Sequence, residues 1–121
     1  MNSSKLFTVK RDGATLIVAL PKVAVTFADE QIQAEVQDIL ERLMEPSISN
    51  IVFDFSECPY FSSAILVAIL TLRKRIQEKN GQFAMCNASK DGLKILRTTR
   101  FDSTLRYFKS REEAFEAVSS L

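Results

Sequence analysis

Residues 51–55, Ile-Val-Phe-Asp-Phe, make a β-rich run that is apolar at almost every position. A strand with one wet face alternates apolar and polar side chains, so a run of this kind marks a strand buried on both faces or nearly so. It belongs at the centre of a sheet. At 121 residues, 46% of them hydrophobic, the chain can bury such a strand in one domain with a proper core, but it is too short for two, which predicts a single domain over residues 1–121.

The flanking segments alternate between β and helical patterns. Leu6-Phe7-Thr8-Val9-Lys10 and Thr15 to Leu20 read as strands joined at an Asp12-Gly13 turn. Pro21 and Lys22 interrupt the pattern, and Val23-Ala24-Val25 reads as a short third extended piece. Thr26 and Asp29 have the spacing of a capping box, opening a helix that runs to about Met44 with Ile32, Val36, Ile39, Leu40 and Leu43 on one face. A second helix is expected from about Ser63 to Glu78, stopping before Asn80-Gly81. Gln82 to Cys86 is the next strand, Ser89 caps a short helix carrying Leu93, Ile95 and Leu96, and Leu105 to Phe108 is extended. Ser110 and Glu113 form a second capping box at the start of a last helix. Strand-helix-strand units at this spacing require parallel pairing with right-handed crossovers, whereas the opening hairpin is antiparallel. The expected fold is α/β: a mixed sheet of four or five strands covered by about four helices.

Several function classes are excluded or weakened by what the chain lacks. It contains no His, which removes Ser/His and Cys/His nucleophilic sites and the commonest metal ligand. Three scattered glycines, at 13, 81 and 92, cannot build a phosphate-binding loop. Cys58 and Cys86 lack metal-site spacing and read as buried, reduced thiols. No metal or cofactor is expected, and no enzymatic activity. A net charge of +1 gives no general pull toward nucleic acid or anionic lipid. Arg73, Lys74, Arg75, Lys79, Lys94, Arg97 and Arg100 are interspersed with acids and lack stacking aromatics, so they read as solvated helix surface. The longest apolar run, Ala64 to Leu70, is far below the roughly 18 residues of a membrane span, and the N-terminus lacks a signal-peptide pattern. A cytoplasmic protein is expected.

The element order and the segment IVFDFSECPYFSSAIL, residues 51–66, resemble the STAS domain, the fold of bacterial anti-sigma-factor antagonists. In that family a strand of the type hhhDhS leads through a short loop to a serine-bearing helix start. Asp54, Ser56 and the pair Ser62-Ser63 fit that frame. NGQFAMCNAS resembles the family's glycine-led strand followed by an Asn and a capping Ser, and LRTTRFDSTLRYF its next helix end and last strand. The resemblance implies a partner switch. The unphosphorylated domain binds a serine protein kinase that doubles as an anti-sigma factor, and phosphorylation at this helix start breaks the complex. Alignment of FSSAIL with the motif places Ser63 at the phosphoacceptor position, with Ser62 as second choice. Ser62 stands where the family commonly has Asp, and Ile65 where it usually has Gly. The family's frequent acidic residue after the second strand has no counterpart among Pro21 to Val25.

Read without the family, Ser63 at a helix start can simply accept a backbone N–H bond, worth about 1 kcal/mol. The same free N–H groups and positive helix end also favour a phosphate. Asp54 either orients the loop before Ser62 by hydrogen bonds or is only the last residue of a strand at the sheet edge. Ala64 to Leu70 is apolar all round the helix. With Leu66, Ile69, Leu70 and Ile76 on the sheet, Ile65, Val67, Ala68 and Thr71 fall outward as a patch beside Ser63. That patch and the two serines make the expected partner-binding surface, covered otherwise by neighbouring helices of the same domain. A second reading is a STAS interaction or scaffold module, homodimeric through the patch near Ile65, that has lost the switch. A third, a nucleotide-binding variant, lacks a phosphate loop.

Overall fold

A computed structural model describes residues 6–21, 27–59, 61–98 and 106–119. The opening hairpin consists of β1 (Thr8–Asp12) and β2 (Thr15–Ala19), paired antiparallel from Thr8↔Ala19 to Asp12↔Thr15. Its two-residue turn begins at Gly13, whose φ of +62° a residue without Cβ adopts without steric cost. Then follow α1 (Asp29–Arg42), β3 (Asn50–Asp54), α2 (Ser63–Glu78), β4 (Phe83–Cys86), α3 (Lys90–Thr98), β5 (Arg106–Phe108) and α4 (Arg111–Ser119). The sheet order is β1-β2-β3-β4-β5, with every pair after the first parallel. This is the mixed five-stranded sheet and four helices that the strand-helix spacing requires.

The β3 run does sit at the centre. All five of its residues are buried, as are all of β2 and β4, because helices cover both faces. Period-two alternation splits the core between them. Leu16, Val18, Ile51, Phe53, Phe83 and Met85 meet α1, α2 and α3 in the larger core. Ile17, Val52, Ala84 and Cys86 meet Ala114 and Val118 of α4 on the other face. Phe53 is fully buried and stands edge-on to Phe7 and Phe55, with ring centroids 6.0 and 5.2 Å away. Burying a side chain of that size is worth about 3 kcal/mol.

The α3 and α4 starts follow the sequence expectation and the α1 start does not. Ser89 Oγ accepts the Gly92 N–H at 2.9 Å, and Ser110 Oγ accepts the Glu113 N–H at 3.1 Å. In α1, however, the N-cap is Ala28 and makes no side-chain cap bond. Asp29 is the first helical residue rather than the third, so it does not hold the position that the expected box assigns to it. Thr26 itself, like the extended piece proposed at Val23-Ala24-Val25 and the start of the segment around Leu105, lies outside the described residues. The α1 face holds a feature that periodicity does not reveal. Glu35 is buried, and its carboxylate accepts the N–H groups of Leu6 and Phe7, both at 2.9 Å, satisfying backbone donors ahead of β1.

The end of α2 matches the Asn80-Gly81 signal. Asn80 takes φ +60° and its N–H donates to Gln77 O at 3.0 Å, while the Gly81 N–H reaches back to Ile76 O at 2.9 Å. These are the paired bonds of a Schellman motif. Lys79, the C-cap residue of α2, donates from Nζ to the carbonyls of Leu43, Glu45 and Ile48. The C-terminus of α2 is thereby tied to the connection between α1 and β3.

Candidate functional site

In an open parallel sheet the connections leaving the carboxyl ends of the strands gather along one rim, where chemistry-bearing residues collect. Here that rim carries the β3–α2 and β4–α3 connections. At its centre is Asp54, the last residue of β3, only 3% exposed. Its Oδ1 accepts the Ser56 N–H at 2.7 Å and Asn87 Nδ2 at 3.2 Å, with Ser56 Oγ at 3.4 Å. Its Oδ2 accepts Arg111 Nε at 2.8 Å, an ion pair reaching to the first turn of α4. Donors to both oxygens and a counter-charge offset the cost of burying a carboxylate. Asp54 therefore orients the loop, as one sequence reading had it, and it is also the last residue of its strand, as the other had it, although that strand lies in the middle of the sheet and not at its edge.

The two loops are also joined directly. Phe55 N–H extends the sheet to Cys86 O at 2.9 Å, and Glu57 N–H donates to Asn87 O at 2.8 Å. Ser56, Glu57 and Asn87 take φ of 53°, 57° and 59°, a left-handed conformation that costs a residue with a Cβ about 1–2 kcal/mol. Phe61 packs on Phe55 at 5.0 Å between centroids and anchors the loop before the helix. Gly92 makes room for it on α3, since a Cβ there would lie 3.0 Å from Phe61 Cε1. Tyr60, its expected companion, lies outside the described residues. Tyr107 OH accepts the Ala88 N–H at 3.0 Å, and burial raises its pKa. Burial, with Asp54 nearby, pushes the Cys86 thiol up to about 12, so it stays protonated and unreactive at neutral pH.

From this loop the chain enters α2, which starts at Ser63 as expected. Ser62 is the N-cap, with φ −83° and ψ 170°, and makes no side-chain cap bond. The anticipated capping role of Ser63 is thus not realised: Ser63 is already inside the helix, and exposed. No acidic side chain occupies the first turn of α2 to offset its positive end. Ser63 opens onto a groove between α1 and α2, about 380 Å³ in volume, lined by Ile32, Val36 and Leu40 from α1 and Ala64, Val67, Ala68 and Thr71 from α2. Asp29, at the start of α1, lines the same groove.

The expected outward patch needs correcting. Ile65 and Ala68 are 4% and 3% exposed and belong to the core, whereas Leu70, assigned to the sheet side, is 40% exposed. The inward stripe is Ile65, Ala68, Ile69, Leu72 and Ile76. Residues 64–70 are all apolar and contain no polar position to fix the phase of the wheel. The phase comes from the second half, where Leu72 and Ile76 stand among Thr71, Arg73, Lys74 and Arg75. Stepping back from Ile76 by four, seven and eleven residues reaches Leu72, Ile69 and Ile65. Val67, at 61% exposure, and the partly exposed Thr71 do face outward, and Ala68 forms part of the groove floor. Asn87 and Arg111, the partners of Asp54, were missed as site residues. Their roles depend on long-range pairing that neither spacing nor composition encodes.

The comparison with known families decides the classification: the model of the STAS domain matches residues 8–114. The chain belongs to the STAS domain family. Solved structures share this STAS fold at low identity. An anti-sigma-factor antagonist (STAS) domain protein from Planctomyces limnophilus is 20% identical with a TM-score of 0.78, over 94% of this chain and 98% of that one. The unphosphorylated form of the anti-sigma factor antagonist SpoIIAA is 14% identical with a TM-score of 0.79, over 95% and 97% of the two chains. The phosphorylated form of SpoIIAA, a Bacillus cell-fate determinant, is 18% identical with a TM-score of 0.67, over 93% and 98%. No curated protein matches the chain in sequence. Among the described residues no helix is long and apolar enough to cross a membrane, and no group of His, Cys, Asp and Glu is placed to hold a metal ion.

Proposed function

We propose that this STAS protein is a cytoplasmic, non-enzymatic partner switch of the anti-sigma-factor-antagonist type. Unphosphorylated, it binds a serine protein kinase that also serves as an anti-sigma factor, and phosphorylation of Ser63 releases it. The observation that carries the reading is the position of Ser63: exposed, in the first turn of α2, and on the lip of an apolar groove. The free N–H groups of a helix start accommodate a phosphate without disturbing the fold. The same phosphate adds nearly two negative charges beside Val67 and Ala64, where docking requires desolvation, and close to Asp29. SpoIIAA, whose fold this chain shares, has been solved in both unphosphorylated and phosphorylated forms.

Incubation with the cognate kinase and ATP is expected to add one phosphate, placed by mass spectrometry on Ser63. Ser63→Ala should abolish the modification and Ser62→Ala should leave it. An equally phosphorylated Ser63→Ala protein would move the acceptor elsewhere. The exposure of Val67 and Leu70, at 61% and 40%, favours a second reading, a scaffold module that pairs with its own copy through α2 without a switch. Light scattering distinguishes them: a dimer unaffected by Ser63→Asp supports the scaffold, and a monomer rules out pairing.

A further inference from the structure

Ser56, Glu57 and Asn87 are three non-glycine residues in the left-handed region, and they face each other across two adjacent loops through the Glu57 N–H to Asn87 O bond of 2.8 Å. Strained backbone of this kind persists only where its surroundings over-determine it. The group that does so is the Asp54 carboxylate, which binds the Ser56 N–H and Asn87 Nδ2 with one oxygen, at 2.7 and 3.2 Å. Its other oxygen is held by Arg111, the one cation paired with it among the described residues. Arg111 belongs to α4, on the face of the sheet opposite α2. The strained loop that delivers the chain to Ser63 is thus secured from the far side of the molecule, and its anchor is 38% exposed and open to approach.

We propose that Arg111 is a positioning residue for the Ser63 switch: by neutralising and orienting Asp54, it fixes the β3–α2 loop and so the presentation of Ser63 to the modifying kinase. This rests on the partner-switch reading of Ser63. Without the guanidinium, the buried carboxylate must find a counter-charge or admit water, and either moves Asp54 off the Ser56 N–H. The loop then samples right-handed conformations, and a kinase that docks on it loses the benefit of preorganisation.

Arg111→Gln and Arg111→Lys separate this role from a merely structural one. Hydrogen exchange of the intact protein is read over residues 55–63 and over β3 and β4, with urea unfolding in parallel. In Arg111→Gln, exchange over 55–63 should rise about tenfold beyond any change in the strands, and Arg111→Lys should recover most of it. With the kinase added, kcat/KM for Ser63 phosphorylation should fall about tenfold in Arg111→Gln and return in Arg111→Lys. Loop exchange that stays at the wild-type level, or rises only as much as the strands do, overturns the positioning role. So does an altered loop with unaltered phosphorylation. A wild-type chain that the kinase leaves unmodified contradicts the Ser63 reading instead, and the exchange result then decides the loop anchor alone.

Discussion

Gly81→Ala is expected to cost about 3 kcal/mol or more, and at the upper end to prevent folding. A Cβ on residue 81 would lie 1.6 Å from Ser49 O and 2.7 Å from Ser49 C. Those are backbone atoms, and they cannot swing aside. Ser49 and Asn50 donate their N–H groups to Ala14 O at 2.8 and 3.1 Å, which pins this stretch to the hairpin. Gly81 in turn is held by its bond to Ile76 O. Relief would require parting α2 from the start of β3. Gly13→Ala is the control, because nothing lies within 4 Å of a Cβ there and only the positive φ opposes it. It should cost about 1 kcal/mol. Urea unfolding followed by circular dichroism measures both, and equal midpoints would refute the close-approach account.

Asp54→Ala should be the most damaging polar substitution, at about 3 kcal/mol. It strands the Ser56 N–H and Asn87 Nδ2, leaves Arg111 without its partner, and removes what holds three left-handed residues in place. Arg111→Gln should cost clearly less in global stability, since the Gln amide can still donate to Asp54 and water can enter to solvate the carboxylate at the position, 38% exposed, that the guanidinium leaves. Denaturant titration of both variants checks the order. Equal losses would mean that Asp54 acts only as half of an ion pair and not as the hub of the loop.

The contrast between these residues shows what the sequence carries. The sheet order follows from local patterns: the β3 run, the Asp12-Gly13 turn, the strand-helix spacing and the Ser89 and Ser110 caps each encode their own element. Ser63 at the start of α2 was legible because FSSAIL sits between a strand and an apolar run. The facing of α2 was not, for an all-apolar stretch has no phase of its own and Ile65 could be turned either way. The hub was half legible. Asp54 stands out as the lone acid in an apolar strand, but Asn87 is 33 residues away and Arg111 is 57. Only parallel pairing of β3 with β4, and the return of α4 across the opposite face, bring them together. Glu35 was hidden for the same reason, its backbone partners lying 28 and 29 residues upstream.

The most direct test of the account is the affinity of the kinase partner for the chain before and after modification of Ser63. Calorimetric titration of the purified, stoichiometrically phosphorylated protein should give a Kd at least about a hundredfold weaker than the unmodified protein, as like charge and desolvation at a docking face demand. The circular dichroism spectrum and unfolding midpoint should be unchanged, because a helix start tolerates the phosphate. Equal affinity for the two forms, with the fold intact, would contradict the switch and leave α2 a docking surface that Ser63 does not control.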